Sequence, residues 1–149
     1  MLNSKENLDF LGAVIANFNN LLLIGIFVAR VFKYPKIEYW LGALFILTVL
    51  PLILMFVKAF SFDRDVLYLV QLILMISFIL LELFLDYIFK IDFRQNRMIV
   101  IPYLTLFYAS FGGMIGIASQ AGKPWSITTI ITFLIMTATS LIMHFKTDT

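Results

Sequence analysis

Glu82 and Asp86 stand four residues apart inside an apolar run covering residues 66–89. On a helix that spacing puts both carboxylates on one face, about 40° apart. An acid pair of this kind can bind a cation or an amine, exchange a proton, or hold a divalent ion for acid–base chemistry. It can also be half of a structural ion pair, with Lys90 or Arg30 snorkelling toward it. Lys90 continues the same face, and Glu82 lies about 12 Å along the axis from it at 1.5 Å per residue. An unpaired carboxylate at that depth in hydrocarbon costs about 3 kcal/mol or more. Two carboxylates one turn apart also repel each other when both are ionised. Glu82, the deeper, is therefore expected to hold a proton, meet a cation or face a watered cavity, while Asp86 stays ionised near the boundary. Gln71, eleven residues before Glu82, falls at nearly the same angle. The whole face reads Gln71, Met75, Phe78, Glu82, Asp86, Lys90.

Neutral polar groups interrupt the other apolar runs. Asn17 and Asn20 share a face, whereas Asn19 points toward the stripe Gly12, Ala16, Leu23, Ile26, Arg30. Amide oxygens at these positions can coordinate an ion or ligand. The simpler role is hydrogen bonding between helices, worth about 0.6–2 kcal/mol per contact. Thr105, Tyr108, Gly112, Gly116 and Ser119 form a further stripe. Gly112 and Gly116 have the spacing that lets two helix backbones approach closely, so a tight packing seam, and a homodimer through it, are expected there. A last stripe carries Thr129, Thr132, Met136, Ser140 and His144; its hydroxyls can bond to their own backbone, and His144 reads as a helix-end interaction. Pro51 should kink its helix, with Thr48 meeting the acceptor freed at Leu47.

The elements that must position these groups follow from composition. Of 149 residues, 62% are hydrophobic and 13% charged, with a mean hydropathy of +0.99. Soluble domains average about 45–50% apolar and about 25% charged. So small a soluble domain could not hide this much apolar surface. A soluble enzyme, a nucleic-acid binder and a disordered chain are excluded together. The expected fold is an all-α integral membrane protein, a single polytopic domain over 1–149. Its five transmembrane helices are placed at about 10–32, 39–57, 66–89, 98–120 and 127–145, the last capped by Ser126. The N-terminal stretch carries Lys5, Glu6 and Asp9 without a positive excess, so no cleavable signal is read there.

Cations at the helix ends divide unequally. Arg30, Lys33, Lys36, Lys90, Arg94, Arg97 and Lys146 fall on one side, seven against Lys5, Lys58, Arg64 and Lys123 on the other. The richer side is expected to be cytoplasmic, with the N-terminus outside, the C-terminus inside, and the chain in the plasma (cell inner) membrane. Cysteine is absent and histidine occurs once, so thiol chemistry, cysteine-held zinc and multi-histidine metal sites are excluded; no cofactor is expected.

The leading reading is a protein that binds or transports a small molecule or ion. Its intrabundle site is built from Glu82, Asp86, Asn17, Asn20, Gln71 and Tyr108, with the lipid bilayer as surroundings and no nucleic-acid partner. Two alternatives stay open: an accessory or assembly subunit whose polar residues join helices, and an intramembrane enzyme using Glu82 and Asp86.

Overall fold

The computed structural model describes residues 3–147, and among these every regular element is helical. Capping chemistry sets most of the starts. Ser4, in extended backbone, accepts the Asn7 N–H at 3.2 Å and opens α1 (Lys5–Val31). Pro35 heads α2 (Pro35–Leu47), where its missing N–H leaves nothing unpaired. After α3 (Val49–Ser61), the Asp65 carboxylate accepts the Tyr68 N–H at 3.0 Å and starts α4 (Val66–Glu82). Asn96 does the same for α5 (Arg97–Ser119) through the Met98 N–H at 3.0 Å. Lys123 and Pro124 begin α6 (Lys123–Thr147).

Five segments are long and apolar enough to cross a membrane: Lys5–Val31, Pro35–Ser61, Val66–Ile88, Arg97–Ser119 and Lys123–Lys146. All five expected runs are present, with ends that differ. The first starts at residue 5 rather than 10, because Ser4 supplies a cap ahead of the charged turn. The second starts at Pro35 and takes in Glu38, Tyr39 and Trp40. The last starts at Lys123, so Ser126 is not its cap; the Ser126 N–H already donates to the Gly122 carbonyl at 3.2 Å.

Two interruptions shape the spans. Pro51 breaks the second one between α2 and α3 at Thr48. The Thr48 hydroxyl there donates to the Phe45 carbonyl at 2.6 Å, not to Leu47 as expected. The third span ends in a π-helical segment, Leu83–Ile88, closed by the Phe89 N–H to the Phe84 carbonyl at 2.9 Å. Lys90 then adopts a φ of 50°, turns the chain away and stands exposed. It therefore does not continue the Glu82–Asp86 face.

Two helix ends share one backbone device. Tyr34 N–H donates to the Ala29 carbonyl at 2.8 Å and Lys33 N–H to Arg30 at 3.2 Å. Arg64 and Asp63 repeat the pattern on Ala59 and Phe60 at 3.0 and 3.3 Å. Both are Schellman endings, with Lys33 (φ 59°) and Asp63 (φ 52°) where glycine is usual. Lys33 is exposed. Lys33→Gly should therefore stabilise the protein by about 0.5–1 kcal/mol, the left-handed strain relieved less the added chain entropy. A thermal melt in detergent that falls instead would show the Lys33 side chain making a contact worth more than the strain.

The innermost helix is α1: 61% of its apolar window is buried, against 11% for the last span. It packs mainly on α6, α2 and α5, while α4 packs on α5 and α3. Between them Phe78 meets Phe107 at 5.3 Å and Phe111 at 5.8 Å, and Phe45 stacks on Phe111 at 6.1 Å. Large apolar side chains, among them Leu21, Leu50, Phe60, Leu67 and Leu134, cover the outside.

The expected glycine seam is only half present. An added Cβ at Gly116 would collide with the Gln71 amide, and Gly113 also faces Gln71. Gly112 opens outward with nothing within 4 Å of such a Cβ. Rotation about the helix axis places Gly113, not Gly112, beside Gly116 on the covered side.

Candidate functional site

A pocket of about 310 Å³ opens at one end of the bundle. The last turns of α1, most of α2, the end of α4 with its π segment, the loop at 89–96 and the first turns of α5 enclose it. Five charged side chains line it: Arg30, Glu38, Glu82, Asp86 and Arg94. Phe45, Phe78 and Phe107, from the aromatic core, also line it.

Four of the charges are matched in pairs. Arg30 donates through Nε to Glu38 Oε1 at 2.7 Å, bridging the α1–α2 turn, and its Nη1 reaches Met143 Sδ on α6 at 3.5 Å. Arg94 Nη2 donates to Asp86 Oδ2 at 3.2 Å, and its guanidinium lies 5.0 Å from the Phe93 ring centre. Burial works against the Arg94 charge, but the field of Asp86, with Tyr103 and Glu82 behind it, outweighs this and holds the guanidinium above its ordinary value.

Glu82 is different. Its Oε1 accepts the Tyr103 hydroxyl, and among the described residues no lysine or arginine forms a salt bridge with it. Tyr103 is held by Phe93 at 4.8 Å and Phe78 at 5.5 Å, so its hydroxyl is aimed rather than free to swing. Tyr87 closes another wall by donating to the Tyr39 carbonyl at 2.9 Å. Its hydroxyl fills the space where Gly42 would carry a Cβ.

Of the six residues expected in the site, the pocket takes Glu82 and Asp86 alone. Gln71 shares the α4 face but lies about 16 Å along the helix from Glu82, wedged against Gly113 and Gly116. Tyr108 packs on Phe107 at 5.0 Å and Phe133 at 6.4 Å. Asn17 and Asn20 turn to α6. Asn17 Nδ2 donates to Thr129 Oγ1 at 2.9 Å, Asn20 Nδ2 to Thr132 Oγ1 at 2.9 Å, and Thr132 Oγ1 to Asn17 Oδ1 at 3.2 Å. These two asparagines join helices and stay outside the pocket.

Sequence reasoning missed Glu38, Arg94, Tyr87 and Tyr103. Glu38 carried one usable signal: it follows Arg30 by eight residues across a proline turn, close enough for the two ends to meet. Arg94 and Tyr103 had none, because the loop path that folds them back over α4 depends on the left-handed turn at Lys90.

The opposite end of the bundle holds a second polar group. Arg64 and Asp9 form an ion pair with side chains 6% and 13% exposed. Arg64 Nη2 also donates to the Lys5 carbonyl at 3.3 Å, and its guanidinium lies 4.8 Å from the Tyr68 ring centre.

Compared with protein families, curated proteins and solved structures, the chain matches none.

Proposed function

We propose that the protein spans the plasma (cell inner) membrane five times, binds a small organic cation at Glu82, and carries it across. The observation behind this is the unequal pairing inside the pocket. Arg30 and Arg94 are engaged by Glu38 and Asp86, whereas Glu82, bonded to the Tyr103 hydroxyl and beside Asp86, has no salt-bridge partner among the described residues. A carboxylate held in low-dielectric surroundings attracts a cation strongly. The walls suit an ammonium, since Phe27, Tyr39, Tyr87 and Tyr103 offer aromatic faces. The volume suits a small ligand, because pockets for drug-sized molecules run from about 300 to 1,000 Å³.

The cation-rich helix ends, Arg30 to Lys36 and Lys90 to Arg97, surround the pocket mouth, so the pocket opens to the cytoplasm and the N-terminus lies outside. The end bearing Asp9 and Arg64 is the closed one. This polarity, open on one side and sealed on the other, is what a carrier needs in one of its two states.

The test is calorimetric titration of the protein in nanodiscs of zwitterionic lipid. Propylammonium chloride should give saturable heat and sodium propionate none. Heat from propionate alone, or from neither, would sink the reading.

A further inference from the structure

Asn19 is fully buried, and neither its amide nitrogen nor its amide oxygen has a hydrogen-bond partner. Asn17 and Asn20 beside it reach α6; Asn19 does not. On α1, Leu23, Ile26 and Arg30 follow Asn19 at spacings of four, three and four, which is one helical stripe. Those three residues line the pocket. Asn19 is not itself in the pocket lining; it stands on the same helical stripe one turn inward of Leu23, about 6 Å along the axis. Further in, the stripe is closed: an added Cβ at Gly12 would come within 2.7 Å of Ile117 and 2.9 Å of Met55. An amide with a free donor and a free acceptor therefore lies between the pocket and the closure. Buried polar groups in folded proteins nearly always have partners, so a pair of free ones on one side chain calls for a polar occupant.

We propose that Asn19 is the inner half of the binding site, and that the ligand is a small amino alcohol whose ammonium meets Glu82 and whose hydroxyl meets Asn19. This rests on the reading of Glu82 as the cation contact. A hydroxyl both donates and accepts, so one atom satisfies both ends of the amide. A carboxylate would leave the amide oxygen unpaired, and a second ammonium would leave the amide N–H unpaired. Between the two polar ends, Leu23, Ile26 and Phe27 present an apolar wall that fits an alkyl spacer.

The probes are n-alkylamines of three to six carbons and their ω-hydroxy counterparts, titrated calorimetrically into the full chain in nanodiscs. In the unaltered protein one chain length should show the amino alcohol binding about five- to tenfold tighter than its alkylamine, the worth of a good hydrogen bond. Asn19→Leu removes the amide with little change in volume. It should bring that ratio to one or below while the melting temperature holds or rises, because two unpaired groups are gone. Amines that bind through Glu82 with no hydroxyl preference at any length overturn the proposal and leave the Glu82 reading standing. A preference that survives in N19L overturns it as well. If no amine binds the unaltered protein, the Glu82 reading falls and takes this proposal with it. The length series on the unaltered protein decides the matter should N19L fail to fold.

Discussion

Arg64→Met is expected to destabilise the protein by about 3–5 kcal/mol, because it strands the Asp9 carboxylate in the interior. The side chains are only 6% and 13% exposed, so water replaces the lost partner only in part. The reverse change, Asp9→Leu, strands Arg64 and should cost a similar amount. Replacing both, Asp9→Leu with Arg64→Met, removes two buried charges together and should recover most of the loss, since well-packed apolar substitutes for a buried pair are often neutral. Unfolding in detergent, analysed as a double-mutant cycle, reads the coupling directly. A double variant as unstable as the two single losses added together would mean that the two residues act separately. Arg30 and Glu38, at 23% and 30%, are more accessible, so breaking that pair should cost far less.

How far such features could be read in advance depends on what kind of information each one needs. Five apolar runs needed only composition and length, and all five are helices. Glu82 and Asp86 share the pocket as helical periodicity expects, although the turn between them is π-helical rather than α-helical. Gln71 shows where periodicity runs out, because an equal angle three turns away is the same face but not the same place. Gly112 shows another boundary, since its spacing from Gly116 is right and yet only the packing of α4 on α5 decides which glycines are covered. Lys90 departs from the expected face for a backbone reason. A lysine in the left-handed region is uncommon, so the sequence alone reads as a straight helix there, and Arg94 is the cation beside Asp86 only because the chain turns at Lys90.

Glu82→Gln should separate chemistry from architecture. The glutamine keeps the shape and still offers an oxygen to the Tyr103 hydroxyl, so stability should change by no more than about 1 kcal/mol. Affinity for propylammonium should fall about thirtyfold or more, because removing one member of a buried, hydrogen-bonded charge pair costs about 2–5 kcal/mol. Glu82→Ala should lose the affinity and, in addition, about 2–3 kcal/mol of stability, from the unpaired Tyr103 hydroxyl and the void left behind. Binding and melting measured on the three proteins give the answer. Should the glutamine variant unfold as readily as the alanine variant, the carboxylate is a structural strut and the pocket has another purpose.

The π-helical segment at Leu83–Ile88 bears on how kin of this chain should be sought. A turn that closes at i+5 holds one residue more than a turn that closes at i+4. An acid four residues on in the wide turn therefore points about where an acid three residues on points in an α-helix. A relative lacking one residue between Glu82 and Asp86 would keep both carboxylates in the pocket, with an ordinary helix in place of the wide turn. Its written signature would be E-x-x-D, where this chain reads E-x-x-x-D. A search that holds the spacing fixed would pass over such a protein, whereas one that allows a single-residue gap at this point would find it.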